Sequence, residues 1–185
     1  DTIKRFYHDW YRPDLQSVVI VGDFEPAAML ALVEQYFGVI PKREDPRPRE
    51  DFSVPENLAP QAIVTTDPEY PNNLLQVMWK KDVQRVNNFG EYYNNLKGTL
   101  FYTMLNHRLE ENSKKPNPPY SFAAATEYPL LRTMSASMMF AMYTQGKSEE
   151  ALSTILTEAE RVQRFGFMPS EFERAKIDVL RDAER

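Results

Sequence analysis

The sequence predicts an α+β domain with a mixed, largely antiparallel sheet and helices mainly on one face. Two observations support this prediction. Apolar residues recur at helical spacing in some segments and form short β-branched or alternating runs in others. These segments follow one another in the order α-β-α-β-β-α-β-β-α-α. Because strands that are adjacent in sequence usually lie side by side, this order favours antiparallel neighbours with helices packed against the sheet.

The composition is that of one ordinary domain. The 185 residues are 42% hydrophobic and 26% charged, which is enough apolar material for a core. A net charge of −5 without a basic tract argues against nucleic acid as a partner. No apolar run reaches the roughly 18 residues of a membrane span, and the absence of cysteine excludes disulfides and thiolate metal sites. The chain starts without a signal peptide and ends in helix-forming residues, so we expect a single domain cut from a longer protein.

The first part of the chain is predicted to form a helix, a buried strand and a second helix. An aromatic helix ends before Pro13, which cannot continue it. Val18–Val21 is β-branched throughout, and such a run is typical of a strand buried on both faces. The second helix begins at Pro26 and stops at Gly38. Residues 38–60 are rich in proline and charge and predict an extended surface connection.

The middle of the chain is predicted to hold two pairs of strands on either side of a long helix. Residues 61–67 and 73–81 form the first pair, because both are rich in β-branched or alternating apolar residues. Residues 89–112 form the helix. The second pair occupies residues 120–128 and 132–144, which are separated around a proline.

Asn88 is a suitable N-cap for the long helix, because its side chain can accept a hydrogen bond from a free backbone amide. In the last strand, methionines alternate with small polar residues from Met134 to Met142. We expect this methionine stripe to fill the core. Two helices, at residues 148–166 and 168–185, complete the domain.

The two histidines do not make a zinc site by themselves. His107–Glu111 resembles the inverted zinc motif His-x-x-Glu-His, in which two histidines bind zinc from one helical face. Glu111 stands in place of the second histidine, and His8 is predicted to pack or cap in the aromatic helix. Zinc prefers three or four well-placed ligands, so we expect none here. A local metal site at His107 and Glu110 is kept as an alternative that metal analysis decides.

Arg108 and Tyr120 are the other candidates. Arg108 lies beside the apolar stripe of the long helix, where an arginine extends to solvent, pairs with a carboxylate or reaches into a cleft. Tyr120 follows the sequence Pro-Asn-Pro-Pro at the start of a strand, where a rigid loop would hold its phenol. No nucleophile motif accompanies them. The residues alone leave a structural role and a functional role open for both.

Five motifs match one known family in their order along the chain. Tyr11–Asp14 reads Tyr-Arg-Pro-Asp, Gly22-Asp23 ends the first predicted strand, and Tyr36–Gly38 ends the second helix. Residues 104–125 place a helical Arg-Leu before a proline-bearing loop and a Tyr, and residues 166–180 form a turn and closing helix. The set resembles the C-terminal type of domain in the insulinase/pitrilysin family of zinc peptidases, which includes mitochondrial processing peptidase.

The resemblance implies an enzyme of two homologous halves around a chamber. One half holds zinc through His-x-x-Glu-His and a distal Glu, and the motif Glu is the general base. The other half supplies an Arg and a Tyr that orient the peptide and stabilise the oxyanion. Carried over to this chain, these catalytic roles fall on Arg108 and Tyr120. The loop between them reads Lys-Lys-Pro-Asn-Pro-Pro, whereas family members have Arg-Gly.

Because the zinc motif is absent, the resemblance identifies residues 1–185 as the non-metal half-domain. We expect this half to bind peptide substrate and support catalysis, to hold no cofactor and to be inactive alone. Zinc would lie in a homologous domain or partner subunit. The alternative is an inactive structural or assembly domain, like the core proteins of respiratory complexes. The resemblance also implies a bacterial periplasmic or cell-envelope location.

Overall fold

The computed structural model describes residues 1–83 and 85–185. These residues form two compact units, residues 1–51 and residues 52–185. No helix of the described part is long and apolar enough to cross a membrane. The elements are α1 (Thr2–Trp10), α2 (Pro26–Phe37), β1 (Leu74–Lys81), α3 (Phe89–Ser113), β2 (Tyr120–Leu131), β3 (Met134–Tyr143), α4 (Ser148–Phe165) and α5 (Pro169–Ala183).

The first unit contains the two predicted helices. Pro26 occupies the first position of α2, and the Glu25 carboxylate accepts a hydrogen bond from the Ala28 amide at 2.8 Å. The predicted strand at Val18–Val21 is wrong, because no strand forms there and Val21 is 92% exposed. A β-branched run becomes a strand only when a neighbouring strand pairs with its backbone. None of the described residues of this unit forms a strand.

The second unit lacks another predicted strand. Residues 61–67 form no strand, and Ile63 and Val64 are 88% and 91% exposed. The long helix starts as predicted, because the Asn88 side chain accepts a hydrogen bond from the Glu91 amide at 3.0 Å. The Glu91 carboxylate in turn accepts a hydrogen bond from the Asn87 amide at 2.6 Å. This reciprocal cap satisfies amides that a helix start leaves free.

The sheet has three strands in the order β1-β3-β2, and both strand pairs are antiparallel. The α+β class and the coverage of one face by helices are as predicted. The core lies between this face and the helices α3 and α4, where Leu105, Leu109 and Ile155 contact Met139 and Ala141. These five residues are at most 4% exposed. Burial of this kind is the main stabilising term for such a fold.

The methionine stripe of β3 lies on the other face. Side chains alternate along β3 as predicted, yet Met139 and Ala141 are the ones that meet the helices. The stripe does not join this core, because alternation gives two faces and does not tell which one the helices cover. The expectation holds only for the start of the stripe, where Met134 and Ala136 are 7% and 0% exposed. The buried contacts of α3 and α4 with the sheet lie on the side of Met139 and Ala141, opposite to this second side of the sheet. We call it the open face, and it carries Met78, Phe122, Met138, Phe140 and Met142.

Candidate functional site

Arg108 lies in the last third of α3 and is held by an ion pair to α5. Its Nε donates to Oε1 of Glu171 at 2.6 Å, and its Nη2 donates to Oε2 at 2.8 Å. Nη2 also donates to the Gly166 carbonyl at 3.0 Å, and the guanidinium lies 4.9 Å from the centre of the Phe167 ring. The two charged side chains are only 15% and 12% exposed. Arg108 thus pairs with a carboxylate, one of the three uses that the sequence leaves open.

The Glu171 carboxyl is expected to make stability fall in acid. The hydrogen bonds from Arg108 lower its pKa from 4.5 to about 2. A carboxyl whose pKa is lower in the folded state stabilises the fold fully above 4.5, and this contribution is lost as the pH falls towards 2. We expect this group to account for about 2 kcal/mol of lost unfolding free energy at pH 3 relative to pH 7. Urea unfolding at the two pH values measures the loss.

The control for this acid effect is Arg108→Ala. Without the guanidinium, the pKa of Glu171 returns towards its ordinary value, since Arg108 is the main cause of the shift. The difference in unfolding free energy between pH 7 and pH 3 should then shrink by about 2 kcal/mol. An unchanged difference would show that other carboxyls cause the acid sensitivity.

Tyr120 is fully buried at the start of β2. Its side chain is 0% exposed, and its hydroxyl donates to the Leu109 carbonyl of α3 at 3.0 Å. Burial, with a smaller contribution from the Glu158 carboxylate, raises the pKa of Tyr120 to about 12. The phenol therefore stays protonated at neutral pH. The hydrogen bond that this phenol donates links β2 to the last turns of α3.

Beside Arg108, the structure places a polar cleft of about 180 Å³ at the junction of α3, α4 and α5, and Tyr120 does not line it. Glu158 is 5% exposed, and its Oε1 accepts hydrogen bonds from Asn112 at 3.1 Å and from Arg161 at 2.8 Å. The charges of this cleft are matched in pairs, since Arg108 neutralises Glu171 and Arg161 neutralises Glu158. Such pairing leaves little net charge in the cleft to select a charged ligand.

The residues that resemble a zinc motif do not fit zinc. His107 Nε2 lies 3.2 Å from the Asp178 carboxylate, and the Glu110 carboxylate binds Lys114 at 2.6 Å. His8 is exposed in the last turn of α1, so the packed role is wrong, while the capping role stays a prediction. Within residues 1–83 and 85–185, no group of three or more histidine or acidic side chains could hold a metal ion. Zinc needs such a group, so no step of the chemistry is assigned to a metal in this domain.

Sequence reasoning does not find a second polar cluster, between α3 and the sheet. The Tyr102 hydroxyl lies 3.1 Å from Ser137 Oγ and 3.3 Å from a Glu127 oxygen, and Lys81 binds the same carboxylate at 2.6 Å. Lys81, Tyr102 and Glu127 line a cleft with a volume of about 650 Å³. Burial raises the pKa of Tyr102. A neutral phenol and a paired carboxylate bind polar groups but supply no free base.

Sequence reasoning also misses Asn106 and Glu171, whose partners lie far away in the chain. The Asn106 side chain accepts a hydrogen bond from the Ala125 amide at 2.7 Å and donates one to the Ala125 carbonyl at 3.0 Å. Glu171 carries a visible signal, because an acid three residues after Met168 and just past Pro169 is typical of a helix cap. Its amide partner is indeed Met168, at 2.6 Å. Its second partner, Arg108, is 63 residues away, and no local pattern indicates that pairing.

The described residues define a class of protein: an α+β domain with an antiparallel sheet, helices on one face and no metal-binding group among them. The family model described as the Peptidase M16 inactive domain matches residues 1–178. The chain therefore belongs to the M16 peptidase family, which is the insulinase-type family that its motifs resemble.

Relatives and a solved structure agree with this assignment. The chain is 26% identical over 120 residues to the Zinc protease PQQL-like of Arabidopsis thaliana, covering 64% of this chain and 13% of that protein. It is 19% identical over 179 residues to the Probable zinc protease PqqL of Escherichia coli K12, covering 96% and 19%. The first half of the periplasmic protease PqqL from Escherichia coli shares the fold with a TM-score of 0.76 at 18% identity, covering 96% of this chain and 38% of that one. The chain thus spans less than a fifth of the two full-length relatives.

Proposed function

We propose that this chain is the substrate-binding, non-metal domain of a zinc metallopeptidase. It supports the hydrolysis of peptides at a zinc centre carried by a homologous domain or a partner subunit. Membership of a peptidase family supports the class of reaction. The absence of a metal-binding group among the described residues supports the placement of zinc in another domain or subunit. The term intact protein below means this domain together with the zinc-bearing part that the proposal requires.

The open face is the observation that carries the proposal. Phe122 and Met78 on this face are 49% and 43% exposed, and the Phe122 ring lies 5.8 Å from the ring of Phe140. Contiguous exposed apolar side chains mark sites of binding more often than they mark ordinary surface. Aromatic and methionine side chains adapt to varied peptide side chains, because they are large, apolar and polarizable. This surface fits a peptidase that accepts peptides of different sequence.

The test is Phe122→Ala in the intact protein. Burying a phenylalanine against a ligand contributes about 1.5–3 kcal/mol, so its loss should raise KM for peptide substrates about tenfold. We expect kcat and the zinc content to stay unchanged, since a contact made equally in the ground and transition states affects KM alone. Phe165→Ala is the matched control, because Phe165 is 81% exposed at the end of α4. Equal KM values in the two variants would contradict the proposal.

The direct role of Arg108 and Tyr120 in orienting substrate and stabilising the oxyanion stays a prediction. Its support is the resemblance to the family's Arg and Tyr. In this role the guanidinium must exchange Glu171 for substrate, and the phenol must exchange the Leu109 carbonyl for the oxyanion. The cost of both exchanges would have to be met by contacts with bound peptide.

The second candidate function is an inactive structural or assembly domain. The Arg108 guanidinium and the Tyr120 hydroxyl already donate hydrogen bonds to groups within the domain, which favours this second function. The two functions differ in the intact protein, because an assembly domain predicts peptide-independent association and no effect of Phe122→Ala on KM.

The relative PqqL is described as a periplasmic protease, and we place the intact protein in the bacterial periplasm on that likeness. Fractionation of the native host tests this location.

A further inference from the structure

The open face differs in exposure from one end to the other. Side chains alternate along β3, so Met134 and Ala136 lie on the open face. They are only 7% and 0% exposed, whereas Phe122, near the other end, is 49% exposed. The core under the helices does not account for this burial, because it is built on Met139 and Ala141 from the opposite side. Another part of the chain therefore covers this end of the open face.

A proline-bearing segment of the chain is hydrogen-bonded at this end of the sheet. The Thr133 hydroxyl donates to the Phe52 carbonyl at 2.8 Å. Lys80 donates from its Nζ to the Pro55 carbonyl and to Oδ1 of Asn57, the latter at 2.7 Å. Two side chains of the sheet region thus fix the segment at two points.

We call this segment, residues 52–57, the strap. Val54, which lies between the two anchored points, is half-buried, whereas the other strap residues are exposed. Lys80 pairs with Ala136 across the ladder, and the other anchoring residue directly precedes Met134. The strap therefore spans the buried end of the open face, and its valine is the side chain that packs inward.

The strap is held less firmly than the surface beneath it would allow. Its three hydrogen bonds to Thr133 and Lys80 are exposed, and water competes for such bonds, so each contributes little. Its one inward side chain, Val54, is small. A leucine or phenylalanine side chain placed on Met134 and Ala136 would bury more apolar surface than this valine does.

We infer that the strap is an internal competitor for the open face. It covers the Met134 end of this face in the ligand-free protein, and a large apolar side chain of a bound peptide displaces Val54 and takes its place. The inference rests on the proposed function and adds a second, covered part to its binding surface. It also gives a selectivity, because only a side chain that buries more area than the strap valine shifts the equilibrium.

The experiment releases the strap in the intact protein with the double variant Lys80→Met and Thr133→Val. Both substitutions keep the approximate size of the side chain and remove the donors that hold the strap. Oxidation of Met134 by hydrogen peroxide, followed by mass spectrometry, reports whether this side chain is covered. We expect oxidation about fivefold faster than in the parent protein. Lys81→Met is the matched control, since it removes the same charge from β1 but breaks the pair with Glu127 instead.

Peptide affinity is the second measurement. The probe is a fluorescein-labelled peptide of alternating Phe and Ser residues, followed by fluorescence anisotropy after removal of zinc with a chelator. The double variant should bind this peptide about fivefold more tightly than the parent protein, because the strap no longer competes. A peptide with Ala in place of each Phe should bind the two proteins equally. Met139, which is 4% exposed under the helices, should oxidise slowly in every folded variant.

Two results would overturn the inference. One is oxidation of Met134 at the parental rate in the double variant. The other is faster oxidation without tighter peptide binding, since the strap would then cover the surface without competing for it. If Met139 also oxidises faster, the double variant has unfolded, and Thr133→Val alone is put through the same two measurements. Oxidation needs no peptide, so an unchanged KM for Phe122→Ala would count against the proposed function and not against the position of the strap.

Discussion

Replacing Arg108 by alanine is expected to lower the free energy of unfolding by about 3 kcal/mol. The substitution leaves the Glu171 carboxylate mostly buried, without the two hydrogen bonds that now neutralise it. Removing one partner of such a pair costs several kcal/mol because the other charge stays desolvated. The stacking of the guanidinium on the Phe167 ring is lost as well. Urea unfolding at pH 7 measures the change.

The matched control is Arg164→Ala. Arg164 binds Glu160 at the same distance of 2.6 Å, but these side chains are 67% and 49% exposed. Exposed pairs contribute roughly 0–1 kcal/mol. We therefore expect the Arg108 variant to be much less stable than the Arg164 variant. Similar losses in the two variants would contradict a structural role for the Arg108–Glu171 pair.

Replacing Tyr120 by alanine is expected to cost about 4 kcal/mol. The side chain is fully buried among Leu109, Ala123 and Ala141 of the core, so its removal leaves a cavity. Tyr120→Phe separates packing from hydrogen bonding, because it keeps the ring and removes only the bond to the Leu109 carbonyl. We expect a loss of about 1–1.5 kcal/mol for that variant.

Thermal and urea unfolding of the two Tyr120 variants give the measurement. Tyr92→Ala is the control, because Tyr92 is 55% exposed on α3 and should change stability by less than about 0.5 kcal/mol. If Tyr120→Ala costs no more than Tyr92→Ala, the side chain is not part of the core as described.

The kinetics of Arg108→Ala and Glu171→Gln test the predicted catalytic role of Arg108. If its guanidinium stabilises the oxyanion, Arg108→Ala should lower kcat of the intact, folded protein by ~10²–10³-fold. Glu171→Gln weakens the ion pair but keeps the arginine, so it should leave kcat nearly unchanged. A purely structural pair predicts the opposite pattern, in which both variants lose stability and neither loses kcat per folded molecule. Comparing how each variant changes kcat per folded molecule and the free energy of unfolding therefore decides between the catalytic and the structural role.

Local patterns predict the helices well and the pairing of strands poorly. The starts of α2 and α3 follow from Pro26 and Asn88, whose effects act within one helical turn. Val18–Val21 has high β propensity, yet it forms no strand, since a partner strand is a tertiary feature that the run itself does not contain. The methionine stripe of β3 shows the same limit, because alternation does not tell which face the helices cover.

For the candidate site, the sequence proposes residues whose functional role stays a prediction, and it does not indicate their partners. The sequence singles out Arg108 and Tyr120 from their places beside an apolar stripe and after a rigid loop. Their actual partners, Glu171 and the Leu109 carbonyl, are set by how α5 and β2 pack against α3. The missing second histidine near His107 is visible in the sequence. The structure brings the Asp178 carboxylate to His107, but no group of three or more possible ligands forms among the described residues.

Peptide binding by the metal-free intact protein tests the central claim most directly. If this domain binds substrate and the zinc lies elsewhere, a chelator should abolish hydrolysis and leave peptide affinity, measured by fluorescence anisotropy, nearly unchanged. Phe122→Ala should then weaken the affinity of the metal-free protein about tenfold, whereas Phe165→Ala should not. Loss of peptide binding together with zinc, or equal affinities of the two phenylalanine variants, would contradict the claim.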